Sequence, residues 1–242
     1  HTHADGDGWS NGGVAALASV CNNFSQPGNP IVKARGWSGA YENMSNGWIN
    51  LATHEFGHQF GANHTFNGTG LSCTDAIASN NAYGIGSGTT IMAYQGICGN
   101  GQNLPSSGEA DNYFHTKSIE QMFNFVYNGN GGSCGNPVNV TNNLPTVTAN
   151  PCTAVYNLPK STPFFLKASG SDADNDRITY CWEQIDEDGQ GTPTQGFVGV
   201  QAANSSIAPI FRSYPPTESP VRYFPNLSVL AQGTFDPFDI PS

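Results

Sequence analysis

Positive charge is scarce in this sequence of 242 residues. Lys and Arg together number 8 against 18 Asp and Glu, which gives a formal net charge of −10. Because binding to a phosphate backbone requires a basic surface, the composition argues against a nucleic-acid partner. Long apolar runs are missing as well, since no stretch approaches the roughly 18 apolar residues that a membrane-spanning helix requires. We therefore expect neither a nucleic-acid partner nor a membrane span.

The spacing C-x-x-C is also absent, although the chain has 6 cysteines. A structural zinc site built from thiolates is therefore not expected. With 29 Gly and 16 Pro the chain is rich in loops, and an even number of cysteines in such a chain favours disulfides over buried thiols. Several pairings are open. Order along the chain favours Cys73–Cys98, Cys152–Cys181 and Cys21–Cys134.

The most informative stretch is THEFGHQFGANHT at residues 53–65, which contains the pattern H-E-x-x-H-x-x-G-x-x-H. His54 and His58 lie four residues apart, so on a helix their imidazoles project from one face. Gly61 permits the positive φ with which the chain can turn back and bring His64 to the same metal ion. Three neutral imidazoles leave the fourth position of a zinc ion open for water, as in catalytic sites.

Glu55 follows the first histidine directly and is not needed as a ligand. Zinc lowers the pKa of a bound water from about 15.7 towards about 7, and a nearby carboxylate can accept its proton. The resulting nucleophile is suited to attack on a peptide carbonyl. The pattern thus predicts Zn²⁺ as cofactor, Glu55 as general base, and proteins or peptides as substrates.

This motif resembles that of the metzincin zinc endopeptidases. The sequence GTTIMAY at residues 88–94 resembles their Met-turn, in which a methionine packs beneath the zinc. The resemblance implies this packing role for Met92. For Tyr94 it implies a role as an extra zinc ligand or as a transition-state donor, and a core tyrosine is the alternative.

A third stretch, GVAALASVC at residues 13–21, resembles the edge strand of reprolysin-like (adamalysin-like) peptidases. Together the motifs place the chain nearest to bacterial reprolysin-like metallopeptidases over about residues 11–135. The resemblance implies that extended substrate pairs with the edge of a strand at Val14–Val20.

The predicted fold class is α+β. A zinc helix is expected from Ser45 or Asn46 to about Phe60, with its core face formed by Ile49, Ala52 and Phe56. A second helix is expected over Thr116–Tyr127. Its apolar stripe comprises Ile119, Met122, Phe123 and Val126, its capping box comprises Ser118 and Gln121, and His115 before it is expected to be structural.

Residues 1–140 are predicted to form the later part of a metzincin-like catalytic domain. Only 53 residues precede His54, whereas metzincins place a twisted sheet and a backing helix there. The resemblance therefore implies an incomplete N-terminal subdomain and a second chain that supplies the missing part. A processed or inactive fragment that serves as a binding or adhesive module is the alternative to a secreted, extracellular zinc endopeptidase.

Residues 141–242 are predicted to form a small antiparallel β-sandwich that resembles bacterial immunoglobulin-like domains and is cut short. Strands are expected at 146–149, 164–168, 177–185 and 196–200. Four acidic residues also match positions 1, 3, 5 and 12 of a calcium loop, although Arg177 stands where that loop has glycine. Both Ca²⁺ binding and a plain acidic turn are open for Asp172, Asp174, Asp176 and Glu183.

Overall fold

The structure is a computed structural model that describes residues 2–5, 12–22, 34–40, 46–99, 101–104, 110–150, 156–188 and 209–233. Helices and two separate three-stranded sheets are found among these residues, in agreement with the predicted α+β class. None of the helices in the described part of the chain is long and apolar enough to cross a bilayer.

The first sheet contains β1 (Thr2–Asp5), β2 (Gly12–Ala15) and β3 (Gly36–Ala40). The central strand β3 runs parallel to β1 and antiparallel to β2, so β2 is an edge strand. The strand predicted for Val14–Val20 is thus wrong beyond residue 15. The chain turns there, with a φ of 52° at Ala18, because the backbone N–H of Ala18 bonds the carbonyl of His58 at 2.8 Å.

Helix α1 spans Asn46–Gln59, close to the predicted bounds, and packs against β2 and β3. Ala52 is buried as expected, but Ile49 and Phe56 are 53% and 41% exposed, so that part of the predicted core face is wrong. The helix instead buries polar groups, since Glu55 and Gln59 are only 3% and 1% exposed. Apolar periodicity failed because polar residues occupy the face towards the sheet.

Helix α2 spans Thr116–Phe123 and continues as a wider helical turn over Asn124–Asn128, so the predicted second helix is confirmed. The capping box is wrong, because the residue at the N-cap is His115, whose side chain accepts from the N–H of Lys117. Of the predicted stripe, Met122 packs towards the core, whereas Ile119 and Phe123 are exposed.

Much of the core lies around the predicted Met-turn. One buried cluster combines Phe66, Cys73, Ala93 and Cys98. A second cluster contains three buried residues, against which Phe114 and Met122 pack; its members are Ala62, Ile91 and Met92. Both clusters therefore include residues from the stretch that directly follows the zinc motif or from the Met-turn itself.

The second sheet is antiparallel, with the order β4 (Thr146–Asn150), β5 (Phe164–Ser171) and β6 (Val221–Phe224). A short helix α3, Leu227–Gln232, follows β6. The predicted strands at 146–149 and 164–168 are confirmed. The one at 177–185 is reduced to a single bridge between Tyr180 and Thr217, and residues 196–200 lie outside the described part.

A sandwich requires a second sheet packed on β4–β5–β6, and none is present among the described residues. The immunoglobulin-like assignment of residues 141–242 therefore stays a prediction. Polar contacts also connect this half to the first one. Asp188, which is completely buried, accepts from Asn67 Nδ2 at 3.1 Å, and Arg212 pairs with Asp111 at 3.2 Å.

Two disulfides join the pairs that order along the chain favours. Cys21–Cys134 connects positions 113 residues apart, and Cys73–Cys98 connects positions 25 apart. The third predicted pair is wrong: Cys181 has a free thiol, whose Sγ lies 3.4 Å from the carbonyl oxygen of Tyr214. Its predicted partner, Cys152, lies outside the described residues.

Replacing Cys21 and Cys134 together by serine is expected to lower the free energy of unfolding by about 2–4 kcal/mol, because this bridge closes a long loop. Urea unfolding under non-reducing conditions measures the change. Cys181→Ser is the matched control, since a hydroxyl can also donate to Tyr214, and we expect its stability to equal that of the wild type. A double variant as stable as the wild type would contradict the prediction.

Candidate metal centre

The three histidines of the motif converge on one point. His54 Nε2 and His58 Nε2 lie 3.2 Å and 3.1 Å from His64 Nε2. A tetrahedral zinc ion with Zn–N distances of about 2.0–2.1 Å places two ligand nitrogens about 3.3–3.4 Å apart. The observed separations are close to those that a shared ion requires. His54, His58 and His64 therefore form a group able to hold a metal ion, called the metal group below.

The other ring nitrogens settle which tautomer each histidine has. Each Nδ1 faces a backbone carbonyl: His54 that of Ile91 at 2.7 Å, His58 that of Ala62 at 2.7 Å, and His64 that of Ala76 at 2.5 Å. Because a carbonyl oxygen only accepts, each Nδ1 has the hydrogen, and each neutral ring presents a bare lone pair at Nε2. Three lone pairs pointing at one another need a cation between them, so the residues fit zinc.

Local backbone features bring the third ligand into place. Gly61 has a φ of +96°, as expected for the turn that ends the helix, and a Cβ there would lie 3.1 Å from that of Phe125. After the turn, Asn81 donates from Nδ2 to the carbonyl of His64 at 2.7 Å. Gln121 accepts from the N–H of Asn63 at 2.9 Å. Neither Asn81 nor this role of Gln121 could be predicted from the sequence, because nothing in the motif's spacing points to them.

Burial lowers the pKa of all three histidines. The pKa of His54 is well below its usual value, first through burial and then through the nearby His58 and His64. Burial likewise lowers the pKa of His58, and that of His64 to about 4. The rings are therefore neutral near pH 7, the form in which imidazole binds a metal ion.

Glu55 lies beside this group and against the edge strand. Its Oε2 is buried without a hydrogen-bond partner among the described residues, and burial raises its pKa to about 7. On the other side, a Cβ added to Gly13 of β2 would lie 2.3 Å from Glu55 Oε1. Only glycine at position 13 leaves the carboxylate room in this position.

Met92 packs against α1, and Tyr94 lies against the ring of His64. Met92 is completely buried, and a Cβ on Gly57 of α1 would come 2.4 Å from its sulfur, so the residue packs directly against the helix. The ring centroid of Tyr94 is 4.6 Å from that of His64 and 4.9 Å from that of Phe66. Burial, followed by the charge of Glu55, raises the pKa of Tyr94, so its hydroxyl keeps its proton at neutral pH.

A cleft of about 590 Å³ is lined by His54 and Glu55. Strand β2 borders it through Gly12 and Gly13. Most other lining residues are apolar and come from α1 and from the segment after Ile91, including Leu51, Ala93, Tyr94 and Ile97. The arrangement places a metal group, a carboxylate and a strand edge along one open groove.

The candidate calcium residues are only partly brought together. Carboxylate oxygens of Asp172, Asp174 and Asp176 lie within 4.8 Å of one another. Including Glu183 was wrong: its Oε2 instead accepts from the backbone N–H of Thr116 at 2.7 Å. Tyr180 pairs with Thr217 and Glu183 reaches the start of α2, so the expected twelfth position does not return to the loop.

Comparison with known families agrees with this geometry. Residues 6–104 match the reprolysin family model described as Metallo-peptidase family M12. The matched segment contains the three histidines, Glu55 and the predicted Met-turn. The match supports a metallopeptidase domain. No curated protein and no solved structure matches the chain.

Stability of the metal-free protein is expected to fall on acidification from about pH 6.5 towards pH 4. In the unfolded chain the histidines take up protons near pH 6.5, whereas the folded pKa values are lower, so protonation favours unfolding. Glu55, whose pKa is raised, acts in the opposite direction but is outnumbered. Urea unfolding at several pH values measures the slope of the free energy of unfolding against pH.

The slope is proportional to the number of protons that the chain takes up on unfolding. His64→Gln should lower this number by about one, because a glutamine does not titrate. His115→Gln removes a buried histidine outside the metal group whose pKa is also lowered by burial, and it should reduce the slope in the same direction. An unchanged slope in His64→Gln would mean that His64 is not held neutral in the folded state.

Proposed function

We propose that the chain is a secreted zinc-dependent endopeptidase of the metzincin, reprolysin-like type, with Glu55 as general base. One observation supports this most directly. The Nε2 atoms of His54 and His58 lie 3.2 Å and 3.1 Å from that of His64, beside a buried carboxylate with one oxygen that has no partner among the described residues. The family match over residues 6–104 supports the same class of enzyme.

In this mechanism the peptide lies along the outer edge of β2, which pairs with no other strand among the described residues and can bond an extended peptide. When bound, zinc supplies Lewis acidity for the scissile carbonyl and lowers the pKa of water. Glu55 accepts the proton of the attacking water. The water oxygen bonds the carbonyl carbon, and Glu55 then returns the proton to the leaving amine as the C–N bond breaks.

Tyr94 is proposed as a hydrogen-bond donor to the oxygen of the scissile carbonyl as negative charge develops there. Its ring contacts that of His64, and its raised pKa keeps the hydroxyl protonated. A hydrogen-bond donor directed at the developing negative charge stabilises the transition state strongly where water is excluded. Secretion is supported by the two disulfides, which form and persist in oxidising compartments.

The acidic loop is proposed as a self-contained turn, with Ca²⁺ as the alternative. Asp172 Oδ1 accepts from the N–H groups of Asp174 and Asp176 at 2.8 Å and 3.2 Å. Asp174 accepts from the backbone and side-chain nitrogens of Asn143 at 2.6 Å and 2.9 Å. These carboxylates already have protein donors, which is the arrangement of an Asx-type turn.

Glu55→Ala is expected to retain zinc and lose hydrolysis of a casein substrate, because the ligands remain while the base is removed. Zinc content by atomic absorption and substrate cleavage with and without chelator measure the two properties. Glu218→Ala, which removes an exposed carboxylate, is the control. Activity retained in Glu55→Ala would exclude the mechanism. A wild type that binds zinc but cleaves nothing would instead favour the inactive binding module.

Gly13→Ala is expected to lower activity about 100-fold, because the new methyl group displaces the carboxylate of Glu55 by an ångström or more. Zinc content should stay the same, since no histidine is touched. Gly135→Ala is the matched control, because the nearest atom to its added Cβ is 3.6 Å away. Equal activity of both variants would contradict the close approach of Gly13 and Glu55.

A further inference from the structure

Glu183 connects the C-terminal half of the chain to the start of α2. Its Oε2 accepts a hydrogen bond from the backbone N–H of Thr116 at 2.7 Å, and its Oε1 accepts one from the Ser213 hydroxyl at 3.0 Å. The same Oε1 lies 3.9 Å from Nε2 of His115, and the Glu183 side chain is only 8% exposed. A carboxylate with several donors and little solvent is held in one position.

This contact satisfies the N-terminus of α2 from outside the helix. The first N–H groups of a helix have no partner within it, and the helix dipole favours a negative charge near them. The N–H of Lys117 is bonded by His115 Nδ1 at 3.2 Å, and that of Thr116 by Glu183. One of the two caps of α2 thus comes from a residue 67 positions later in the chain.

Helix α2 in turn holds the segment that carries the third histidine. Gln121 Oε1 accepts from the N–H of Asn63 at 2.9 Å, and Asn63 directly precedes His64. Met122, one residue further along the helix, packs against the buried cluster that contains Met92. A displacement of α2 would therefore move both the backbone at His64 and the packing beneath the metal group.

A second connection from the C-terminal half ends at the first histidine. The hydroxyl groups of Ser213 and Tyr113 share a hydrogen bond. The carbonyl of Tyr113 accepts from the N–H of Ile91 at 3.0 Å, and the carbonyl of Ile91 accepts from His54 Nδ1 at 2.7 Å. Since Ser213 also donates to Glu183, both connections meet at that carboxylate.

We propose that Glu183 is a positioning residue for the metal group and that residues 182–188 and 209–213 belong functionally to the peptidase. Glu183 acts through α2 and through Tyr113 on the backbone groups that orient His54 and His64. Partners beyond the metal ligands tune metal affinity by fixing ring orientation. The proposal rests on the proposed zinc endopeptidase function and names the part of the C-terminal half that this function needs.

Glu183→Ala is expected to weaken zinc binding about tenfold and to lower kcat more than it raises KM, because ligand orientation changes while the substrate groove does not. Glu183→Gln keeps one acceptor oxygen and should restore most of the affinity. Glu218→Gln removes an exposed carboxylate from the same half and should bind zinc like the wild type. Competition with a chromophoric chelator measures affinity at a temperature where circular dichroism shows all variants folded.

A zinc affinity of Glu183→Ala equal to that of Glu218→Gln, with only a lower melting temperature, would make Glu183 a residue of general stability and overturn the proposal. If Glu183→Ala does not fold, Gln121→Ala tests the last link to Asn63. Weaker zinc binding there supports the proposal, and unchanged binding overturns it. A wild type that binds zinc but cleaves no peptide would defeat the proposed function, while the affinity comparison would still decide the role of Glu183.

Discussion

Three backbone carbonyls determine which nitrogens of the histidines can face a metal ion. The carbonyls of Ile91, Ala62 and Ala76 each accept from an Nδ1, and this leaves every Nε2 lone pair directed at a common point. If one carbonyl moved away, its histidine could adopt the other tautomer and present an N–H to the metal position. The metal group is thus a property of three backbone segments as much as of three side chains.

Each of these segments is fixed by a different kind of interaction. The carbonyl of Ala62 follows the glycine turn at Gly61, whose φ is +96°. The N–H of Ala76 bonds the carbonyl of Cys73 at 3.1 Å. The Cys73–Cys98 disulfide therefore restrains the backbone next to the carbonyl of Ala76. The carbonyl of Ile91 lies in the predicted Met-turn, and the N–H of Ile91 bonds the carbonyl of Tyr113 at 3.0 Å. A glycine turn, a disulfide and a buried loop therefore each position one of the three carbonyls that bond the histidines.

The convergence of the three histidines, the position of Glu55 beside them and the helix α1 could be predicted from the sequence because the motif requires particular residue types at a fixed spacing. The carbonyl acceptors could not, since every residue has a carbonyl and only the fold decides which one lies near an imidazole. Glu183 shows the same limit. Its spacing from Asp172 matches a calcium loop, but spacing along the sequence does not determine the path of the backbone between two residues. The Glu183 side chain contacts the start of α2 instead.

The face of α1 towards the sheet explains why apolar periodicity misplaced its core. Among the described residues one oxygen of the buried Glu55 has no partner, which costs free energy, and Gly13 further removes a side chain that could have packed there. A surface selected for stability alone would place apolar groups at both positions. The departure occurs where strand edge, carboxylate and metal group meet, and local rules are broken most often at functional sites. Under the proposed function, a peptide on β2 meets Glu55 at this point, and Gly13 leaves the space that the carboxylate occupies.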